Sequence, residues 1–307
     1  MAASANWLTK MKDFDPTLGE LPESITTDQH GNLYLTMRNT VQKLTPSGVR
    51  STYATLPVPP GVLAAGLKFN EDGELFVATG SLSPVPPAAY VWRVAGDGEV
   101  SVHAALDPEG FPNDLAFDDE DNLYVTDPLL GQIWKLDPDG EPSVWIDHPA
   151  LDGDEDEPFL GLSHFGVDGI AFDKHHKRLY VGNLDYGTIL RIKVQEDGSA
   201  GPLEFWVDDF EHLAGADGIA FDAFGNLFVA VNGQDRLVAI DPWRNVYVLA
   251  EGGLLDAPSG LCFGVTPWTR HNLYVTNFAI TRAYGIKDGV PQPSLAKVTT
   301  LFPGLPL

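Results

Sequence analysis

The sequence predicts an all-β fold: a single six-bladed β-propeller over residues 1–307, with four-stranded blades around a central channel. Two observations carry this reading. One strand–turn–strand unit recurs six times at the spacing of propeller blades. In addition, 31 glycines and 24 prolines suit many short strands joined by turns better than helices.

The unit reads x-G-(I/L)-x-F-D, a turn, then N-L-(Y/F)-V. It occurs as PESITTDQHGNLYLT from Pro22, AGLKFNEDGELFVAT from Ala65 and PNDLAFDDEDNLYVTD from Pro112. It returns as DGIAFDKHHKRLYVGN from Asp168, DGIAFDAFGNLFVAVN from Asp217 and SGLCFGVTPWTRHNLYVTN from Ser259. The equivalent first positions are Glu23, Ala65, Asn113, Asp168, Asp217 and Ser259, separated by 42, 48, 55, 49 and 42 residues. Each copy is a hairpin: apolar residues alternate before the turn, and a β-branched and aromatic strand follows it. Asp28, Asp118, Asp173 and Asp222 precede the turn and are read as turn-formers. The aromatics Tyr34, Phe76, Tyr124, Tyr180, Phe228 and Tyr274 share one register, as packing between blades requires.

A third strand follows in VQKL, YVWRV, QIWKLD, TILRI and RLVAI, and a fourth in VRSTYA, EVSVHA, PSVWI, LEFWV and VYVLA. The last unit is less regular, and SLAKVTTLF is expected to supply its outer strand; the pattern assigns no place to residues 1–20. The longest insertion, 147–166, holds the acidic run DGDEDE and is expected to be a solvated rim loop.

With 43 acidic against 19 basic residues the net charge is −24, which repels phosphate backbones and favours cations. Nucleic acid is therefore not an expected partner; a small molecule is. No apolar run reaches 18 residues, so no membrane-spanning helix is expected. The start, MAASANWLTKMKDFDP, lacks the apolar stretch of a secretory signal, and a cytoplasmic location is expected. Cys262, the single cysteine, excludes an intrachain disulfide and reads as a buried, inert thiol. No phosphate-binding glycine loop, cysteine-based zinc spacing or G-x-S-x-G elbow is present.

In a propeller the first strand of each blade lines the channel, so the six first positions face one another across the axis. Ala65 and Ser259 are small, but Glu23, Asn113, Asp168 and Asp217 offer oxygen ligands, three of them carboxylates. Three carboxylates in a narrow channel repel one another. A divalent cation removes the conflict, and an all-oxygen set suits Ca²⁺ ahead of Mg²⁺ or Mn²⁺. The alternative is a water-filled tunnel whose acids are solvated. Gly66, Gly169, Gly218 and Gly260, which follow four first positions, fit a crowded axis.

A second ring comes from the ends of the second strands: Met37, Thr79, Asp127, Asn183, Val231 and Asn277, with Asn232 one place on. Asp127, Asn183 and Asn277 are candidates to orient the first ligands or hold a substrate, or simply to end strands. His164 and His212 each stand a few residues before a presumed ligand and are candidate general bases at the channel mouth.

These residues resemble those of the senescence-marker-protein, gluconolactonase and luciferin-regenerating-enzyme superfamily, which is kin to diisopropyl fluorophosphatase and paraoxonase. The likeness covers nearly the whole chain, most specifically in Pro22-Glu23, Pro112-Asn113-Asp114, Asp168-Gly169 and Ala216 to Ile219. It implies that Glu23, Asn113 and Asp217 hold a catalytic divalent ion, that Asp217 both ligates and assists the attack, and that Asp114 stands beside the site. At Asp168 the family usually has Asn. A third carboxylate strengthens Ca²⁺ binding and weakens its Lewis acidity if Asp168 ligates; if Asp168 points away, the metal is lost. The function expected is metal-dependent hydrolysis of a lactone or related ester. The rivals are a lyase or isomerase using the same channel and a non-catalytic binding propeller.

Overall fold

The computed structural model describes residues 8–82, 89–161 and 163–305; the first seven residues of the chain, on which the expectation of location partly rests, lie outside them. The described residues form six four-stranded antiparallel sheets, one per repeat, arranged as a six-bladed propeller. The inner strands are Pro22–Thr27, Leu63–Phe69, Leu115–Phe117, Val167–Asp173, Ala216–Phe221 and Pro258–Phe263. The second strands are Leu33–Met37, Leu75–Gly80, Leu123–Asp127, Arg178–Asn183, Leu227–Val231 and Asn272–Asn277. Among the described residues helix is confined to two four-residue α-helices, Phe210–Leu213 and Ile280–Ala283, and short 3₁₀ turns.

The turn aspartates do what their position predicts. Asp28 accepts from the N–H groups of His30 and Asn32 at 2.9 Å, from Asn32 Nδ2 at 2.7 Å and from the Tyr34 hydroxyl at 3.1 Å. Asp118 repeats the pattern with Glu120, Asn122 and Tyr124. Each such carboxylate ties a hairpin turn to the strand leaving it. The aromatic at the shared register then meets the next blade edge to face: Tyr34 with Phe69, Phe76 with Phe117, Tyr180 with Phe221 and Phe228 with Phe263, at centroid distances of 4.9–5.5 Å.

The sixth blade differs from the expectation. Ser294–Thr299 is its third strand, and the outer strand is Leu8–Asp13, from the other end of the chain. Leu8 pairs with Val298 and Asp13 with Ser294. Residues before the first repeat thus latch the last blade, and an otherwise unpaired edge is covered.

The insertion 147–166 is only partly solvated. Glu155, Asp156 and Glu157 are exposed, but Leu151, Leu160 and Phe165 are buried. Asp185 anchors the loop by accepting from the N–H groups of Asp154, Phe159 and Phe165 at 2.8–3.0 Å. Cys262 is buried, and burial pushes its thiol up to about 12.

Candidate functional site

Alternation along a strand does not by itself send the first position to the axis; a β-bulge does. The register slips between Pro22 and Ile25, Ala64 and Leu67, Val167 and Ile170, Ala216 and Ile219, and Pro258 and Leu261. Each slip brackets a first position, and a bulge re-aims the side chain it carries. In blade 3 the strand begins only at Leu115, and Asn113 is held by its N–H to the Thr126 carbonyl at 2.8 Å.

The glycines that follow make the seam between blades. A Cβ on Gly169 would lie 2.1 Å from the carbonyl oxygen of Asp217, and one on Gly218 would lie 2.3 Å from that of Ser259. The crowding expected at the axis is thus the main chain of the next blade. Threonines on the second strands cross the same seam. Thr126 Oγ1 donates to the Asp168 carbonyl at 2.5 Å, and Thr276 Oγ1 donates to the Glu23 carbonyl at 2.8 Å. Thr36 instead turns its hydroxyl to the Glu23 carboxylate at 3.3 Å. Blades 4 and 5 have Gly182 and Ala230 at that register, so Asp168 and Asp217 receive no such hydroxyl.

Glu23, Asn113, Asp114 and Asp217 line a cavity of about 30 Å³, room for one or two water-sized occupants. Two residues beyond the first positions, Ile25, Leu67, Leu115, Ile170, Ile219 and Leu261, one from each blade, line it as well. The carboxylates therefore stand against an apolar ring, with Lys68 the one cationic residue lining the cavity among the described residues. Asp168 lies beside this cavity, 3% exposed, and accepts from Asn113 Nδ2 across the seam between blades 3 and 4. Asp217 accepts from Asn232 Nδ2 at 3.0 Å.

This environment disfavours ionisation. Burial, then the charge of Asp217, holds the Glu23 and Asp168 carboxyls well above the ordinary range. Burial also raises Asp217 to about 7, with Asp114 adding repulsion against the Asn232 and Gly218 donors. Asp114 is raised by burial too, although the N–H groups of Ile170 and Leu115 and the charge of Lys68 oppose it. Among the described residues no ion pair includes Glu23, Asp168 or Asp217. Nor are three His, Cys, Asp or Glu side chains gathered there as they would be around a bound metal ion. The oxygen donors available to a cation are Glu23, Asn113, Asp168 and Asp217.

The other candidates are placed differently. Asp114 spans blades 3 and 4, its two oxygens taken by the N–H groups of Leu115 and Ile170 at 2.9 and 3.1 Å. Asp127 accepts from the N–H groups of Phe111 and Leu130 and from Trp134 Nε1, and so fixes the segment that leads into Asn113. Asn183 binds the carbonyls of Ala150 and Asp152 and the N–H of Tyr186, and Asn277 joins Leu254, Asp256 and Ser294. Both amides are engaged with rim loops and line no part of the cavity. Neither histidine lines it either: His164 sits on the Leu129 carbonyl at 3.2 Å, and His212 pairs with Asp209 at 2.9 Å. Asn232, Thr36 and the apolar ring received no role from the sequence, although the invariant Ile or Leu two places after each first position signals the ring.

With this geometry in view, the comparisons with known proteins divide into family and fold. The model of the SMP-30/gluconolactonase/LRE-like region matches residues 20–200 and 162–279. The chain belongs to that family. The matched stretches contain Glu23, Asn113, Asp168 and Asp217. A comparison with curated proteins finds no match. Among solved structures, a luciferin-regenerating enzyme is 18% identical with a TM-score of 0.68, covering 97% of both chains. The calcium-binding protein regucalcin from Agrobacterium tumefaciens is 17% identical with a TM-score of 0.64, covering 94% of this chain and 93% of its own. A gluconolactonase from Xanthomonas campestris is 15% identical with a TM-score of 0.64, covering 92% and 88%. At these identities the structures share the family's fold. Among the described residues no helix is long and apolar enough to cross a membrane.

Proposed function

We propose that this family member is a metal-dependent hydrolase of a lactone or related ester, with Ca²⁺ as its divalent cation. One observation carries the reading: Glu23 and Asp217 line a cavity of about 30 Å³ together with Asn113, the buried Asp168 stands beside it, and no salt bridge reaches any of these three carboxylates among the described residues, although Lys68 lines the cavity too. Burying such charge without a partner is costly. The donor set of Glu23, Asn113, Asp168 and Asp217 is hard oxygen chemistry of the kind Ca²⁺ takes, and it fits in kind and in burial. The Asn113 amide, which donates to Asp168, would present its oxygen instead. The family includes gluconolactonases, and a regucalcin of the same fold is a calcium-binding protein, which supports the reading further.

Bound there, a divalent cation supplies charge compensation and Lewis acidity toward a carbonyl oxygen. Asp217 takes a proton from water as the water oxygen adds to the substrate carbonyl carbon. The ring C–O bond then breaks, the leaving alkoxide takes the proton back from Asp217 to complete a hydroxy acid, and the new carboxyl group releases its own proton to water. A bound cation would lower the Asp217 carboxyl, which burial raises, and leave it a weak base, suited to an activated lactone rather than an amide. Asn232 holds one oxygen of Asp217, and the apolar ring limits the water that reaches the carboxylates. The product carries a negative charge and leaves a protein of net charge −24, which favours its release.

The test is thermal unfolding with chelator and with millimolar Ca²⁺, Mg²⁺ or Mn²⁺, together with a lactone panel under the same conditions. At about 100 times its dissociation constant a ligand adds roughly 2.7 kcal/mol. Expected is a Ca²⁺-dependent rise in midpoint and chelator-sensitive turnover. An unchanged midpoint with no copurifying metal would overturn the reading.

A further inference from the structure

We propose that Asn232 is the positioning residue of Asp217: its amide is the side-chain donor that, beside the Gly218 N–H, fixes the carboxylate toward the cation and the attacking water. This rests on the hydrolase reading above. The argument begins at the ends of the second strands. There Asp127, Asn183 and Asn277 turn to the rim loops, and every oxygen and amide nitrogen they offer is engaged with those loops or strand neighbours. In blade 5 that place is taken by Val231, and the amide stands one residue later. The strand ends at Val231 and Asn232 opens a 3₁₀ turn, Asn232–Gln234, which takes its side chain out of the strand's alternation. Among the described residues the Asn232 side chain makes one hydrogen bond, from its Nδ2 to Asp217 Oδ2 at 3.0 Å.

Nothing in the turn needs that side chain. The Asn232 N–H donates to the Gly215 carbonyl at 2.7 Å, and its own carbonyl accepts from Asp235 N–H at 3.2 Å. Asp235 is in turn held by Arg282 Nη2 at 3.1 Å, Lys287 Nζ at 3.0 Å and the Ala257 N–H at 2.8 Å. The backbone is therefore fixed without the amide. Asn232 is 2% exposed, and its Oδ1 has no partner among the described residues. An acceptor buried unpaired is destabilising, so Asn at this position costs the fold something that Leu would not. What Asn232 supplies in exchange is a neutral donor. A Lys or Arg there would orient Asp217 equally well but would compete with a cation for its charge.

The test compares Asn232→Leu, Asn232→Ala and Asn232→Ser with the wild-type protein. Three readouts are used: Ca²⁺ titration calorimetry, thermal unfolding in chelator, and kcat and KM at saturating Ca²⁺ on the best lactone found. Partners that orient metal ligands typically affect affinity or activity 10–100-fold. Expected for Asn232→Leu are Ca²⁺ binding weakened about 10-fold, kcat lowered roughly 10–100-fold and KM changed less than about twofold. Its chelated midpoint should be unchanged or higher, the opposite of what a merely structural role would give. Asn232→Ser, which keeps a donor, should recover part of the loss, and Asn232→Ala should not; that pair decides the matter if Asn232→Leu does not fold. Wild-type Ca²⁺ affinity and kcat in both Asn232→Leu and Asn232→Ala would overturn the proposal alone. If the wild-type protein neither binds Ca²⁺ nor hydrolyses any lactone, the hydrolase reading falls and takes this proposal with it.

Discussion

Replacing Asp217 by Asn keeps the side chain's shape, keeps an oxygen to accept from Asn232, and removes a charge that the metal-free fold resists. In the folded protein Asp217 titrates near 7 rather than 3.8. Between these values the native state holds a proton that the unfolded chain has released. The contribution of this group therefore makes the wild-type protein lose stability as pH rises from about 4 to about 7, and level off above. The change from 3.8 to about 7 corresponds to about 4 kcal/mol at full ionisation. Asp217 is also the largest charge acting on Glu23 and Asp168, so removing it relieves both and adds to the gain. For a chain of this size 4 kcal/mol is on the order of 10 °C in midpoint. The assay is urea and thermal unfolding of both proteins in chelator from pH 4.5 to 8.5. Asp217→Asn should match the wild-type protein at the acid end and exceed it increasingly up to pH 7. A difference that stays flat across that range would refute the burial argument, whatever the protein's activity.

Asp168→Asn should weaken Ca²⁺ binding several-fold in calorimetry while retaining the ion; an unchanged affinity would remove Asp168 from the ligand set. Gly218→Ala places a Cβ 2.3 Å from the Ser259 carbonyl and should cost roughly 3 kcal/mol or prevent folding, read from the urea midpoint. Deleting residues 1–13 strips the outer strand from blade 6, so a thermal midpoint equal to that of the full chain would contradict the latch. Cys262, raised to about 12, should resist thiol reagents at pH 8 in the native protein and react once urea unfolds it.

The architecture was legible because a propeller repeats. Each blade alone cannot bury its faces, so six copies of one pattern must stack, and the turn aspartates and register aromatics mark every hairpin. The sixth blade was misread for the same reason. Its outer strand, Leu8–Asp13, comes from outside the repeat, and no local pattern says that residues nearly 290 positions apart will pair. The candidate ring was legible through its departures: Glu23, Asn113, Asp168 and Asp217 break a register that Ala65 and Ser259 fill with small residues. Asn232 was visible one place beyond the second ring, but its hydrogen bond to Asp217 was not. The sequence left Asp127, Asn183 and Asn277 between orienting ligands, holding substrate and ending strands, because strand-end identity does not reveal which way a side chain turns.

By itself, then, the sequence determined the six-fold repeat, the four-stranded blade, the acidic first positions and the surplus of negative charge, all of which follow from composition and period. Tertiary structure decided three further things. Bulges re-aimed Glu23 and Asp217 toward a shared cavity, and burial raised the carboxyls of Glu23, Asp168 and Asp217. A one-residue displacement set Asn232, rather than the strand-end amides, on Asp217. The physical reason is that ionisation and hydrogen bonding depend on distances across blades. Residues 42 to 55 positions apart in the chain become neighbours at the axis only when the ring closes.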